Sequence, residues 1–345
     1  MIHLLDTDPR QFSEPENYKY SHGSLSSVMI NINNELKKID KYAEPDLAEW
    51  VGICDGLNVG FKYKDKKSFV ITCWEMANTL PTYLINSAKN SNQKLIGMSD
   101  QITNIWKKYG FKCETVRLGT NTNFWYQSEE KNKNQFIFIL PLATFVRSGI
   151  DLTLRAFEIA FNGNKNVLLR IKDTGSNDIY LKKINEYKKR GLNIEYHSNR
   201  WSMQDLRNFY SSAHVCLSLQ RGASFGLIIT ESMACNTLNI TGNIEPFNEF
   251  LNENVSLLVK PKGLIPIKNI ADHLVKDWGF HNSYGPFNCP EEPMFYDFDV
   301  TEYASVMKKA YDNWDFFSKI HYRKYIIDNY TWDKTTTNLI NKLYD

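Results

Sequence analysis

Short apolar runs alternate along this chain with polar stretches of helical spacing. Trp50–Cys54, Ser68–Cys73 and Lys94–Met98 read as strands, and Val28–Ile39, Leu80–Ala88 and Ser99–Tyr109 read as helices, the first opened by the small-residue turn Gly23-Ser-Leu-Ser-Ser27. A polar break, Gln127–Gln135, precedes a cleaner series. Its strands are Phe136–Leu140, Asn166–Ile171, Asn193–Tyr196, His214–Leu219 and Thr237–Thr241; its helices are Gly149–Phe161, Ile179–Arg190, Met203–Ser211 and Phe225–Cys235. Strands alternating with helices imply parallel βαβ units, and strands apolar at successive positions imply sheets covered on both faces. Residues 6–22 are polar, carry Pro9 and Pro15 and predict nothing regular. Residues 279–299, rich in Gly, Pro, Asn and aromatics, are expected to form the longest irregular stretch, a surface excursion. No repeat of solenoid period is present.

Composition narrows the function. A chain of 345 residues with 42% hydrophobic residues can bury two cores of ordinary size. A net charge of only +2 speaks against nucleic acid as partner, so any anion site must be local. The longest apolar run, Phe136–Val146, contains Pro141 and is far shorter than the ~20 residues a bilayer span needs. No secretory leader is visible in Met1-Ile-His-Leu-Leu-Asp6, and the six scattered cysteines form no Cys-x-x-Cys pair. A reducing, cytoplasmic location is therefore expected.

The segment Leu217-Ser-Leu-Gln-Arg-Gly-Ala-Ser-Phe-Gly-Leu-Ile-Ile-Thr-Glu-Ser-Met-Ala-Cys235 carries the most chemistry. A strand ends, a turn with Gly222 and Gly226 follows, and a helix begins whose first N–H groups and positive dipole end favour a diphosphate. Glu231 returns to the side of Ser224 after two turns, where its carboxylate can accept from both hydroxyls of a ribose. The spacing equally allows a solvated helix residue and glycines that only turn the chain.

Arg221-Gly-Ala-Ser-Phe-Gly-Leu-Ile-Ile-Thr-Glu-Ser-Met-Ala234 resembles the signature of the retaining glycosyltransferases of family 4. Further stretches agree in order: Arg147-Ser-Gly-Ile-Asp-Leu-Thr-Leu-Arg-Ala-Phe157, the helix from Ser202 to Ala213, Gly119-Thr-Asn-Thr-Asn-Phe-Trp125, and Tyr330-Thr-Trp-Asp333. The resemblance spans roughly residues 50–345 and implies the α/β architecture called GT-B, two Rossmann-like parallel-sheet domains facing across a deep cleft. Residues 1–130 would form the acceptor domain and 131–321 the nucleotide-sugar donor domain, with a C-terminal helix of about residues 322–345 packed back on the first. The implied donor is a nucleotide diphosphate sugar, with GDP-mannose favoured and a UDP-sugar open, and the acceptor a glycan or glycoprotein. No cofactor or metal is expected, because Asp6-Thr-Asp8 and Asp297-Phe-Asp299 have no His or Cys companions. A homodimer stays open.

The chain also departs from the family pattern. The first glutamate of the Glu-x7-Glu pair falls on Ala223, the usual lysine of the second domain's first turn on Ser148, and an earlier arginine on Leu142. Arg147 and Lys172, assisted by Arg221, are therefore the expected diphosphate cations, each open to the alternative of a solvated surface charge. His197 and Ser198, with Arg200 or Trp201 stacked on the base, would cradle the nucleotide, although Trp201 can equally be packing. Ser224, Phe225, Gly226 and Leu227 form the helix mouth, and Gly23 and Ser24 resemble the loop that approaches the donor phosphates from the first domain. Glu75 stands where many relatives carry a histidine nearby and is the expected acceptor-side carboxylate, unless it caps the next helix. Two other readings remain: a non-catalytic sugar-nucleotide-binding subunit, and a nucleotide-sugar epimerase.

Overall fold

The computed structural model describes residues 1–5, 24–54, 66–141, 146–173, 178–199, 201–278 and 288–345. The first half builds β1 (Ile2–Leu5), α1 (Ser24–Lys38), β2 (Trp50–Cys54), β3 (Lys67–Thr72), α2 (Thr82–Lys89), β4 (Lys94–Gly97), α3 (Asp100–Lys108) and β5 (Cys113–Thr115). The five strands lie in the order β1-β2-β3-β4-β5, all parallel. Successive strand residues point to opposite faces. Cys54, Phe69, Ile71 and Ile96 accordingly pack in one core with Val28, Met29, Ile32 and Leu36 of α1. Their neighbours Ile53, Val70 and Leu95 pack in a second core with Leu84 and Ile85 of α2 and Ile102 and Trp106 of α3. This double coverage is why these strands are apolar throughout.

The second half runs β6 (Phe136–Pro141), α4 (Ile150–Phe161), β7 (Val167–Lys172), α5 (Asp178–Lys189), β8 (Ile194–His197), α6 (Met203–Ser212), β9 (Val215–Ser218), α7 (Leu227–Ala234), β10 (Leu238–Gly242) and β11 (Leu257–Val259). Its six strands are parallel in the order β11-β10-β9-β6-β7-β8. At the start of α6 the Ser202 hydroxyl accepts from the Asp205 N–H, and the Asp205 carboxylate accepts from the Ser202 N–H, the reciprocal cap that this spacing favours.

The chain continues through β12 (Pro261–Pro266), α8 (Ile267–Trp278), β13 (Met294–Phe298), α9 (Val300–Asp312), α10 (Trp314–Phe317), α11 (Tyr322–Asn329) and α12 (Trp332–Tyr344). The expectation of an irregular stretch over 279–299 is corrected in its last part. There, β13 pairs antiparallel with β12, with Leu264 opposite Tyr296. Proline and glycine at the ends of this ribbon obscure its pattern in the sequence. The remainder of that stretch includes residues 279–287, outside the described residues.

The two sheets are tied together at several points. α12 packs on α1, and the Tyr344 hydroxyl donates to Glu49 at 3.0 Å. The backbone N–H of Thr120 donates to Tyr330 O at 2.9 Å, and Arg323 reaches the carbonyls of Thr122 (2.7 Å) and Ala234 (3.1 Å). The start of β13 and the residues just before it strap onto the first half: Ala77 N–H donates to Met294 O (3.0 Å) and Thr82 N–H to Asn288 O (2.7 Å). Glu249, between β10 and β11, accepts from the first two N–H groups of α3 at 2.8 and 2.9 Å, which satisfies that helix's positive end from across the molecule. Among the described residues no disulfide links the six cysteines, and no helix is long and apolar enough to cross a membrane.

Candidate active site

The end of β6, the residues Arg147 and Ser148 before α4, and the turn that leaves β9 face the first sheet across a cavity of about 280 Å³. That is near the lower end of the ~300–1,000 Å³ typical of small-molecule sites. Val28, Cys73, Glu75, Met98 and Leu118 form its first-sheet wall. Arg147, Ser148, Ser218, Gln220 and the turn from Ala223 to Ile228 form the opposite wall.

The opposite wall owes its shape to two glycines. Gly226, with φ +114°, occupies the left-handed region as the N-cap of α7, so the N–H groups of that helix's first turn open beside the cavity. Gly222 permits the closest approach of the two halves: a Cβ there would lie 2.1 Å from the Glu75 carbonyl oxygen. Bringing the first sheet this near demands a residue without a side chain.

Arg147 sits in a 3-10 turn, Val146–Ser148, just before α4. Its Nη1 donates to Gln220 Oε1 at 2.6 Å and to the Gly222 carbonyl at 3.1 Å, and its Nε lies 2.8 Å from Glu75 Oε2. The guanidinium is therefore aimed by its own half of the molecule and neutralised by the other. Ser148, Ser224, Phe225, Gly226 and Leu227 line the same cavity, so the structure brings these sequence-predicted residues together with Arg147 and Glu75.

Arg221 is a correction. Its guanidinium makes a bidentate pair with Asp151 at 2.8 and 2.6 Å, both side chains are almost fully buried, and it borders a different depression with Arg155 and His273. A charge so enclosed binds its partner and not a ligand in the cleft. Its backbone nevertheless serves the site: Arg221 N–H donates to Arg147 O at 2.8 Å, and Arg221 O accepts from Tyr296 N–H at 2.9 Å. Asp151 holds its proton less tightly than usual: burial alone would raise its affinity, but the charge and hydrogen bonds of Arg221, with the Leu152 N–H and His273, together outweigh it.

Lys172 and Glu231 do not line the cavity. Lys172, buried at the end of β7 with Pro141 and His197 as register neighbours, carries its ammonium 5.8 Å from the Trp201 ring centre. Trp201 packs against His197 and Phe209, with ring centres 5.1 and 5.2 Å away. Glu231 lies one helical turn beyond Leu227 and Ile228, on their face of α7. Part of the residue reaches solvent, yet its carboxyl is enclosed beside the Tyr210 hydroxyl, and burial pushes it up to about 8. His197 ends β8, partly exposed, with Ser198 following. Ser24 opens α1, while Gly23 and Arg200 lie outside the described residues.

Gln220 and Asp151 carry roles that sequence reasoning missed. Gln220 is adjacent to the glycine turn, a position that could have marked it; Asp151 pairs with a residue 70 positions away and leaves no local sign. Among the described residues no group of three or more His, Cys, Asp or Glu side chains is placed to hold a metal ion.

Two parallel α/β domains meeting at a cleft are the GT-B fold, and solved structures share it. Sucrose-phosphate synthase from Thermosynechococcus elongatus superposes with a TM-score of 0.64 at 14% identity, over 90% of this chain and 76% of that one. A glycosyltransferase from Rickettsia africae gives 0.61 at 14% identity, covering 93% and 83%. Anabaena HepE, solved with UDP and glucose, gives 0.61 at 10% identity, also covering 93% and 83%. No curated protein matches the chain by sequence. Residues 121–285, which contain the whole second wall of the cavity, match the glycosyl transferases group 1 family model. With the GT-B fold, this makes the chain a glycosyltransferase.

Proposed function

We propose that this glycosyltransferase moves a hexosyl group from a nucleoside-diphosphate sugar to a glycan or glycoprotein acceptor, with retention at the anomeric carbon and without a metal. The observation that carries the reading is the convergence of Arg147 and the first turn of α7 on one cavity, with Glu75 facing them from the other domain. As the bond between the anomeric carbon and the diphosphate oxygen breaks, negative charge grows on the departing diphosphate. A guanidinium and helix N–H groups already in place stabilise that charge more than they stabilise the bound donor, which lowers the barrier. The acceptor oxygen bonds to the same face of the sugar and its proton passes to the leaving diphosphate, so no protein nucleophile is needed. Glu75 orients the acceptor hydroxyl.

From outside the lining of the cavity, Lys172 adds its positive field to that of Arg147, and Glu231 receives the ribose hydroxyls of a donor that extends past the helix mouth. His197 and Ser198 meet the base. Mannose from GDP-mannose is the favoured donor group on family grounds, while HepE with its UDP and glucose keeps a UDP-sugar in contention. The work is placed in the cytosol.

Calorimetry with a panel of GDP- and UDP-sugars, followed by release of free nucleoside diphosphate with and without candidate glycan acceptors, tests the reading. Acceptor-dependent release and a product with the donor's anomeric configuration are expected. Inverted product would remove the same-face mechanism, and conversion of donor without any acceptor would point to an epimerase.

A further inference from the structure

Among the described residues, the side chain of Arg147 has three partners of two kinds. Gln220 and the Gly222 carbonyl belong to its own domain and fix the plane of its guanidinium. Glu75 comes from the other domain and supplies the negative charge. A carboxylate and a diphosphate both offer oxygens to the same N–H donors of a guanidinium, so the two compete for it. Glu75 is suited to yield: its side chain is 42% exposed whereas that of Arg147 is 12% exposed, and water can receive the carboxylate once it leaves. An ion pair this open is weak, so a doubly charged ligand can replace it.

Release of the side chain need not open the cleft. The backbone after Glu75 is held by bonds that do not involve its carboxylate: Ala77 N–H to Met294 O, Asn78 Nδ2 to Glu292 O at 3.0 Å, and Met294 N–H to Asn78 Oδ1 at 3.0 Å. The close approach of Gly222 to the Glu75 carbonyl is likewise a backbone matter.

Resting on the reading of Arg147 as the diphosphate ligand, we propose that Glu75 is a built-in competitor of the donor. It occupies Arg147 across the cleft and is displaced only by a ligand that carries a diphosphate. Glu75 thereby sets how tightly the site holds phosphates, separately from any part in orienting the acceptor.

The test is calorimetry on the full chain, with inorganic pyrophosphate, UDP and GDP as probes and uridine and guanosine as controls. Glu75→Gln keeps the side chain's size and removes its charge. It is expected to bind pyrophosphate and the preferred nucleoside diphosphate roughly five-fold more tightly than wild type, equivalent to about 1 kcal/mol, with nucleoside affinity unchanged. Glu75→Ala should tighten binding in the same direction, which separates loss of charge from any new contact made by glutamine. Unchanged or weaker diphosphate binding in both variants overturns the competitor role. Arg147→Ala is the separate control: if it binds the diphosphate as well as wild type does, the reading of Arg147 itself fails, and the role of Glu75 fails with it.

Discussion

Two arginines, Arg147 and Arg221, lie on turns that their backbones join by a hydrogen bond, yet they live in opposite environments. Arg147 lines the cleft, is aimed by an amide and a carbonyl, and takes its counter-charge from a partly exposed residue of the other domain. Arg221 is buried with Asp151 at the first turn of α4, and both of its terminal nitrogens are committed to that carboxylate. The difference separates a cation that can change partners from one that cannot. A buried pair holds the turns in place, and a half-open pair performs the exchange.

Truncation should expose that division, with the largest effect at the buried pair. Arg221→Ala leaves the Asp151 carboxylate enclosed without its counter-charge, a loss that typically costs about 3–5 kcal/mol. A large drop in melting temperature is expected. Arg147→Ala leaves the partly exposed Glu75 as the one uncompensated charge and leaves Gln220 and the Gly222 carbonyl to take water at the cavity wall, so its melting temperature should fall far less than that of Arg221→Ala. Its nucleoside diphosphate affinity should fall by the ~1.5–3 kcal/mol typical of a hydrogen bond to a charged group. Parallel thermal melts and calorimetry on the two variants decide the matter, and the contrast dissolves if both lose stability equally.

A smaller effect is expected where the backbones meet. In Gly222→Ala the new methyl would sit 2.1 Å from the Glu75 carbonyl oxygen, and because that atom is backbone the domains themselves must shift. Overpacking of this kind costs about 1–3 kcal/mol. Activity should suffer more than nucleotide binding, because Arg147 and α7 stay in one domain while Glu75 is pushed away. Unimpaired turnover in this variant would mean that the close approach is not needed for catalysis.

How much of this was legible in the sequence follows from the range of each interaction. The second domain's strands and helices were readable because each is local, and the cap at Ser202 and Asp205 spans only three positions. β1 is four residues long, too short for a period to declare itself, and the β12–β13 ribbon is interrupted by proline and glycine. The helix mouth at Ser224–Leu227 was visible as a glycine turn before an apolar helix. The pairings that give each arginine its task were not. Arg221 finds Asp151 70 positions away, and Arg147 meets Glu75 from the other domain, so the residue types announced a cation and only the tertiary structure decides what it holds.

Glu231 gives the most selective test, because it belongs to α7 in the cavity's second wall yet behaves as a buried acid. In the fold its carboxyl stays protonated up to about pH 8, against an ordinary value of 4.5. Between those values the folded chain holds one proton more than the unfolded chain, so stability falls as pH rises through the window. His214, lowered to about 4 by burial, acts in the opposite sense between there and its ordinary 6.5, and Lys131, lowered to about 7, does so from there to 10.5. The absolute stability curve therefore mixes several groups, His3 and Glu249 among them, but the difference between wild type and Glu231→Gln isolates one. Glutamine stays neutral and can still meet the Tyr210 hydroxyl. The variant should match wild type near pH 4.5 and gain on it steadily to pH 8, read from paired denaturant melts. A difference that does not change with pH would mean that Glu231 is ionised in the fold and turned toward water. A variant that gains stability at pH 8 but loses affinity for nucleoside diphosphate and nucleoside alike would support the ribose contact as well, since the carboxyl would then be a strained group that its ligand relieves.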